Sequence, residues 1–354
     1  MSRFCTNTVD GILPYTPGEQ PQDKKYIKLN TNENPYAVSK NAIDAISEKT
    51  LENLRLYCDP EAKNLVEAVA EFYGVDKSCV LLANGSDEIL AFSFLAFCKG
   101  KKTAFCDITY GFYKVYAKLF EVEEKIIPLL DDFNLDVEAF KKFDGNVILA
   151  NPNAQTGLFV ENGKMEEIIK AHEKDIVLVD EAYADFAKSS LIDLTKKYDN
   201  LLVVGTFSKS RSLAGARLGF AIANKEIIDD LKKVKYSFNP YNVNTLTQIL
   251  GRHAIEDRAY FEKTRDLIVD TRENFKNQLK ELGFDVLDSR ANFVLCKSDE
   301  ISGVKLYEKL RDKGVLVRYL GDERIKEFVR ISIGTSEEMN IVIGKIKEIL
   351  KEEK

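Results

Sequence analysis

The chain has 354 residues, 45% of them apolar and 31% charged, with a net charge of -6 and only two histidines. That length points to two domains around a sizeable core, and ordinary Gly and Pro levels exclude disorder, collagen and disulfide-dense miniproteins. Lysines and glutamates mix along the same segments, which leaves no basic stripe for nucleic acid and no polybasic membrane anchor.

In chain order, residues 1–35, rich in Pro, Gly and Asn, read as an extended arm. Met1 to Cys5 lacks the apolar core of a secretion signal, and no stretch approaches the roughly 18 apolar residues of a membrane span. The cytoplasm is the expected compartment. Cys5, Cys58, Cys79, Cys98, Cys106 and Cys296 are far apart and form no C-x-x-C pair, so they read as reduced thiols. His172 and His253 give little material for a metal site or a Ser-His-Asp triad, and no metal is expected.

From about Val80 to Ile222, short apolar runs alternate with helical stretches: Val80-Leu81-Leu82, Thr103-Ala104-Phe105, Val147-Ile148-Leu149, Ile176 to Val179, Leu201 to Val204 and Leu218 to Ile222. This alternation is the mark of βαβ units, and continuous apolar runs predict strands covered on both faces of a mostly parallel sheet. After Pro240 helical periodicity takes over, with a long amphipathic stretch from about Tyr260 to Leu282. Strands are predicted at Asn292–Cys296, Val315–Arg318 and Val329–Ile333, a helix at Val304–Arg311, and a closing helix from Ser336 whose Lys345–Lys354 end is expected to fray. The predicted organisation is α/β: an arm over 1–35, a large domain over 36–251 with its boundary near Gly251, and a smaller α+β domain over 252–354.

In such a sheet, ligands belong at the carboxyl ends of the strands, where the polar clusters of this sequence fall. Lys209 ends Thr206-Phe207-Ser208-Lys209, with Arg217 eight residues on; Asp180 and Tyr183 follow the run Ile176 to Val179. An amine, a carboxylate and a cation at one sheet edge are what pyridoxal phosphate requires: an amine for its aldehyde, an anion for its ring nitrogen and donors for its phosphate. Asn84-Gly85-Ser86-Asp87-Glu88 follows a strand and opens a helix, so its free amides could hold a phosphate, although Ser86 reads equally as a plain helix cap. Tyr110 could stack on a flat ring or pack under the next helix. Arg318 and Arg330, on two predicted strands, could bind an anionic substrate. Neither a G-x-x-x-x-G-K-[ST] loop nor a G-x-G-x-x-G fingerprint is present.

These residues resemble the fold-type I pyridoxal-phosphate aminotransferases, and more narrowly the histidinol-phosphate aminotransferases, over nearly the whole chain. The narrower marks are Leu13-Pro14-Tyr15-Thr16-Pro17-Gly18 and Asn30-Thr31-Asn32-Glu33-Asn34-Pro35; the module from Lys209 to Arg217 belongs to aminotransferases generally. The resemblance implies a mostly parallel seven-stranded sheet with Lys209 as Schiff-base lysine and proton shuttle, Asp180 as partner of the ring nitrogen, Tyr183 as donor to the 3-oxygen and Tyr110 as stacking residue. Gly85, Ser86, Asp87, Thr206, Ser208 and Arg217 would surround the phosphate, and Tyr57 would reach the phosphate of a neighbouring subunit, which implies a homodimer. Tyr15, Asn32, Arg318 and Arg330 would bind substrate. The implied reaction is a ping-pong transfer from histidinol phosphate to 2-oxoglutarate. Alternatives on the same scaffold are an aromatic or broad-specificity aminotransferase and a threonine-phosphate decarboxylase.

Two departures from the family pattern stand out. Ala154, in Asn153-Ala154-Gln155-Thr156-Gly157, occupies the place of an asparagine that meets the 3-oxygen, with Asn153 as the candidate substitute, and Cys58 replaces the proline after Tyr57.

Overall fold

The computed structural model describes residues 3–353. Its strands, in chain order, are β1 (Ile27–Lys28), β2 (Val80–Ala83), β3 (Lys102–Cys106), β4 (Glu123–Ile127), β5 (Asn146–Ala150), β6 (Val177–Asp180), β7 (Leu201–Thr206), β8 (Gly219–Ile222), β9 (Phe284–Val286), β10 (Phe293–Ser298), β11 (Val315–Leu316) and β12 (Val329–Ser332). A seven-stranded sheet has the order β2-β8-β7-β6-β5-β3-β4, in which β8 runs against both its neighbours and the remaining pairs are parallel. Residues of β2, β6 and β7 are buried throughout, because helices cover both faces and no position has to face water.

Alternate residues along these strands feed two cores. Val147, Val177, Val179, Leu201 and Val203 enter one, and Ile148, Leu178, Leu202 and Val204 enter the other. A third core joins β9, β10 and β12 to the helices Arg258–Glu281, Gly303–Asp312 and Ser336–Glu352. The expected division at Gly251 falls inside the helix Thr245–Glu256. That helix packs on the helix Lys63–Tyr73 and so stays with the large sheet.

Two expectations need correction, and the edge strand β4 has no counterpart among the predicted elements. The arm is not merely extended: β1 pairs in parallel with β11, and Glu19 pairs with Arg311, so the arm is fastened to the C-terminal core. Lys345–Lys354 was expected to be an exposed, fraying face, yet Ile346 and Ile349 are fully buried and Glu352 and Glu353 pair with Lys309; Lys354 lies outside the described residues. The edge strand β4 was missed because Glu123-Glu124-Lys125 carries no apolar run, which is how exposed edges are protected from pairing.

The sheet places its functional edge through one tight crossing. Gly219 opens β8 against the loop after β2, so that a Cβ there would lie 2.4 Å from the Ser86 nitrogen and 2.5 Å from the Gly85 carbonyl carbon. These are backbone atoms, which cannot rotate away. Gly219→Ala is therefore expected to cost about 1–3 kcal/mol of stability, measured by denaturant unfolding; wild-type stability would contradict the close approach.

Candidate active site

The carboxyl ends of β2, β3, β5, β6 and β7 and the start of β8 enclose a cavity of about 460 Å³. Asp180, the last residue of β6, forms its floor and is only 4% exposed. One carboxylate oxygen accepts from the Tyr113 hydroxyl at 2.9 Å and the other from the Ala182 amide at 3.1 Å. Burial outweighs these bonds and pushes the Asp180 carboxyl up to about 6. Among the described residues, no lysine or arginine forms an ion pair with it. The floor is thus an anion in need of a cation.

Above it, the Lys209 amine donates to the Thr31 carbonyl at 3.0 Å and lies 5.9 Å from the centre of the Tyr183 ring. Ser86 and Asp87 line the same cavity at the first turn of the helix Ser86–Ser93, where backbone amides lack helical partners. Gly85 has φ +85°, and a Cβ there would lie 2.5 Å from an Arg217 nitrogen. Arg217 itself has φ +54°, a left-handed conformation costly for a side-chain-bearing residue. Its guanidinium meets the Asp87 carboxylate at 3.0 Å and the Ala214 carbonyl at 3.3 Å. Asp87 also accepts from the Tyr110 hydroxyl at 2.6 Å. Its carboxylate therefore orients a cation and a ring, and its backbone amide is the part suited to an anion. Thr206 and Ser208 complete the lining.

The substrate-side arginines differ. Arg330 is 9% exposed, and among the described residues its guanidinium meets only neutral acceptors: the Ala154 carbonyl at 3.0 Å, the Gln155 side-chain oxygen at 2.8 Å and the Asn30 carbonyl at 3.4 Å. Arg318 pairs with Arg330 through reciprocal backbone bonds, but its side chain donates to the Thr16 carbonyl and holds the arm. Tyr15, on that arm, stacks on Phe112 and lies 6.3 Å from Tyr110.

Seven expected residues do not line the cavity: Gly85, Arg330, Arg318 and Tyr15, described above, and Tyr57, Asn153 and Asn32. Tyr57 is 84% exposed and stacks on Tyr241 at 4.5 Å. Asn153 does not substitute for the missing asparagine: its side chain donates to the Ile108 carbonyl and accepts from the amides of Gln155 and Thr156, which uses it up in the turn, while Ala154 lines the cavity. Asn32 does not face a substrate either; it is 1% exposed, with its amide donating to the Tyr183 hydroxyl at 3.0 Å.

The family described as aminotransferase class I and II matches residues 24–346. The chain belongs to this family. The histidinol-phosphate aminotransferase of Brachyspira hyodysenteriae is 51% identical over 353 residues, spanning 99% of this chain and 100% of the relative. That of Clostridium beijerinckii is 46% identical over 351 residues, 99% and 98% of the two chains. The structure of histidinol-phosphate aminotransferase from Sinorhizobium meliloti in complex with pyridoxal-5'-phosphate superposes with a TM-score of 0.88 at 22% identity, covering 99% of this chain and 98% of that one. At that identity the likeness concerns the fold.

Several residues of the aminotransferase site were not singled out from the sequence. Tyr113 reaches Asp180 from the helix Phe112–Leu119, one turn beyond Tyr110, a spacing that could have flagged it. Thr31 and Gln155 act through a carbonyl and a loop amide, for which no sequence signal exists. Glu181 faces away from the cavity: its carboxylate accepts from the Ser190 hydroxyl at 2.5 Å and the Leu191 amide at 2.6 Å. Burial pushes it from 4.5 up to about 8.

The folded chain therefore keeps a proton on Glu181 that the unfolded chain releases above about 4.5, so this group's contribution to stability falls as pH rises from about 4.5 to about 8. Glu181→Gln, which cannot ionise, is expected to flatten that part of the stability–pH curve and to gain on wild type at the alkaline end. Parallel curves for the two proteins in urea unfolding across this range would contradict it.

Proposed function

We propose that this aminotransferase carries pyridoxal 5'-phosphate on Lys209 and transfers the amino group of histidinol phosphate to 2-oxoglutarate, yielding imidazole acetol phosphate and glutamate in histidine biosynthesis. The observation that carries the reading is near-full-length identity to histidinol-phosphate aminotransferases joined to this site. The residues fit the cofactor: among the described residues the buried Asp180 carboxylate forms no ion pair with a lysine or arginine, the Lys209 amine bonds a carbonyl, and a cradle of amides lies beside a guanidinium.

Pyridoxal phosphate supplies an aldehyde for amines and a ring that takes up the electron pair released at the substrate's α-carbon. Asp180 keeps a proton on the ring nitrogen, since ionised Asp180 is costly there unless a cation meets it. Gly85, Ser86 and Asp87 offer amides to the phosphate, with Thr206, Ser208 and Arg217 around them. Tyr110 and Tyr183 line the same cavity, where Tyr110 would cover the ring and Tyr183 would donate to its 3-oxygen. With the cofactor bound, Lys209 would be the base that takes the proton from the substrate's α-carbon and gives it back. Arg330, with Arg318 and Tyr15 around the arm, binds the substrate's phosphate in one half-reaction and the glutamate carboxylate in the other.

The active unit proposed is a homodimer. Tyr57 projects into solvent beside exposed Leu54, Leu56 and Tyr241, an apolar surface suited to a second copy in which Tyr57 reaches the partner's phosphate. No helix among the described residues is long and apolar enough to cross a membrane, and no His/Cys/Asp/Glu group there could hold a metal. All six cysteines are free, in keeping with the cytoplasm as the proposed compartment.

The cofactor-loaded protein, mixed with histidinol phosphate and no keto acid, is expected to lose its visible band and release stoichiometric imidazole acetol phosphate. A persistent band would sink histidinol phosphate as substrate, and carbon dioxide release from threonine phosphate, supplied in its place without an acceptor, would replace transfer by decarboxylation. Light scattering is expected to give the mass of two 40.1 kDa chains; a single-chain mass would overturn the dimer. Gln155→Glu would set a carboxylate against the Arg330 guanidinium, and a rise in KM of about tenfold or more for both anionic substrates is expected, with kcat less affected. An unchanged KM in steady-state kinetics would remove Arg330 from substrate binding.

A further inference from the structure

Asn32 sits at the head of a hydrogen-bond chain whose directions are fixed. Its backbone N–H donates to the Ser332 hydroxyl oxygen at 2.9 Å, and the Ser332 proton goes to the Asn32 side-chain oxygen at 2.8 Å. With that oxygen occupied as acceptor, the amide nitrogen must face the other way, where it donates to the Tyr183 oxygen at 3.0 Å. The Asn292 side chain donates to the Asn32 carbonyl at 3.0 Å and steadies the backbone at φ 56°. Asn tolerates this left-handed conformation better than most residues. Asn32, Ser332 and Asn292 are all at most 2% exposed, so no water competes along the chain.

The consequence falls on Tyr183. Its oxygen is engaged as an acceptor and, among the described residues, nothing accepts its proton, while its ring lines the cavity. The groups near it, Asn32, Lys209 and Arg330, are donors. The proton is thereby left for an acceptor inside the cavity. Ala154 sharpens the point, because it places a methyl group on the wall where a carboxamide would have been a second donor, and Asn153 is spent in its turn.

We infer that Asn32 is a positioning residue that orients the Tyr183 hydroxyl as a one-way donor to the ring oxygen of the cofactor, taking over through Tyr183 the work of the carboxamide absent at Ala154. The inference rests on the cofactor reading above. A donor at that oxygen favours the form in which the neighbouring nitrogen of the Lys209 linkage has lost its proton, and so lowers the pH at which the visible band changes. A hydroxyl that is itself receiving a hydrogen bond is the stronger donor.

The test is a pH titration of the visible band in the cofactor-loaded protein. Asn32→Gly removes the amide and suits the left-handed backbone. It is expected to raise the midpoint by roughly half a unit, the size of one modest hydrogen bond. Tyr183→Phe should raise it further, and Asn32→Gly added to Tyr183→Phe should add nothing, since the amide acts only through the hydroxyl. Ser332→Ala, which frees the amide to turn, should give a smaller rise that also vanishes with Tyr183→Phe; it carries the test if Asn32→Gly does not fold. A wild-type midpoint in the single variants, or a shift of equal size with and without the Tyr183 hydroxyl, would overturn the inference while leaving Lys209 and its cofactor in place. A wild type with no visible band would instead sink the cofactor reading and this inference with it.

Discussion

Asp180 is the constraint on which the site is built. A carboxylate at the end of a fully buried strand is expensive, and the two hydrogen bonds from Tyr113 and Ala182 do not make it easy to ionise. A cation that reached it from the cavity side would relieve it, and Tyr110 and Lys209 line that same cavity. The geometry of the sheet places this demand at the centre of the sheet edge, since β6 has β5 on one side and β7 on the other. Each neighbour then contributes what its own end carries: Ala154 and Gln155 after β5, Thr206 to Lys209 after β7.

The remaining parts are held by reciprocal packing rather than by single contacts. Gly219 admits the Ser86 amide, Gly85 admits Arg217, and Asp87 ties Arg217 to Tyr110. A change at any of these would move the loop after β2, Arg217 and Tyr110 together. Across the cavity, the arm links the C-terminal core to the site: β1 pairs with β11, Arg318 holds Thr16, Lys209 bonds Thr31, and Asn32 spans Ser332 and Tyr183. The C-terminal core and the residues at the sheet edge thus meet on one short segment of the arm.

The sequence carried the fold wherever burial wrote it plainly. Continuous apolar runs marked β2, β5, β6 and β7, and the polar cluster after each marked the cavity edge, so Lys209, Asp180, Tyr183 and the loop Gly85 to Asp87 could be named from the chain and lie together in the structure. The charged edge strand β4 and the two-residue β1 left no such trace, because exposed or very short strands have no apolar pattern to read. Within the site, Asn32 was visible as a member of a motif but its partner was not. Ser332 and Asn292 are 300 and 260 residues away, and only the folded chain shows that the amide turns toward Tyr183. Asn153 failed as a substitute for a related reason: adjacency in sequence gave no hint that the turn's own amides would claim its oxygen.

The central claim is that Asp180 holds a proton on the ring nitrogen of the bound cofactor. It can be measured directly by nitrogen NMR of pyridoxal phosphate labelled at the ring nitrogen and bound to the protein at mildly alkaline pH, where the free cofactor's ring is losing its proton. The account predicts a protonated-ring shift in the wild type that moves to the unprotonated position in Asp180→Asn. An unprotonated ring in the wild type, with the cofactor demonstrably on Lys209, would contradict it.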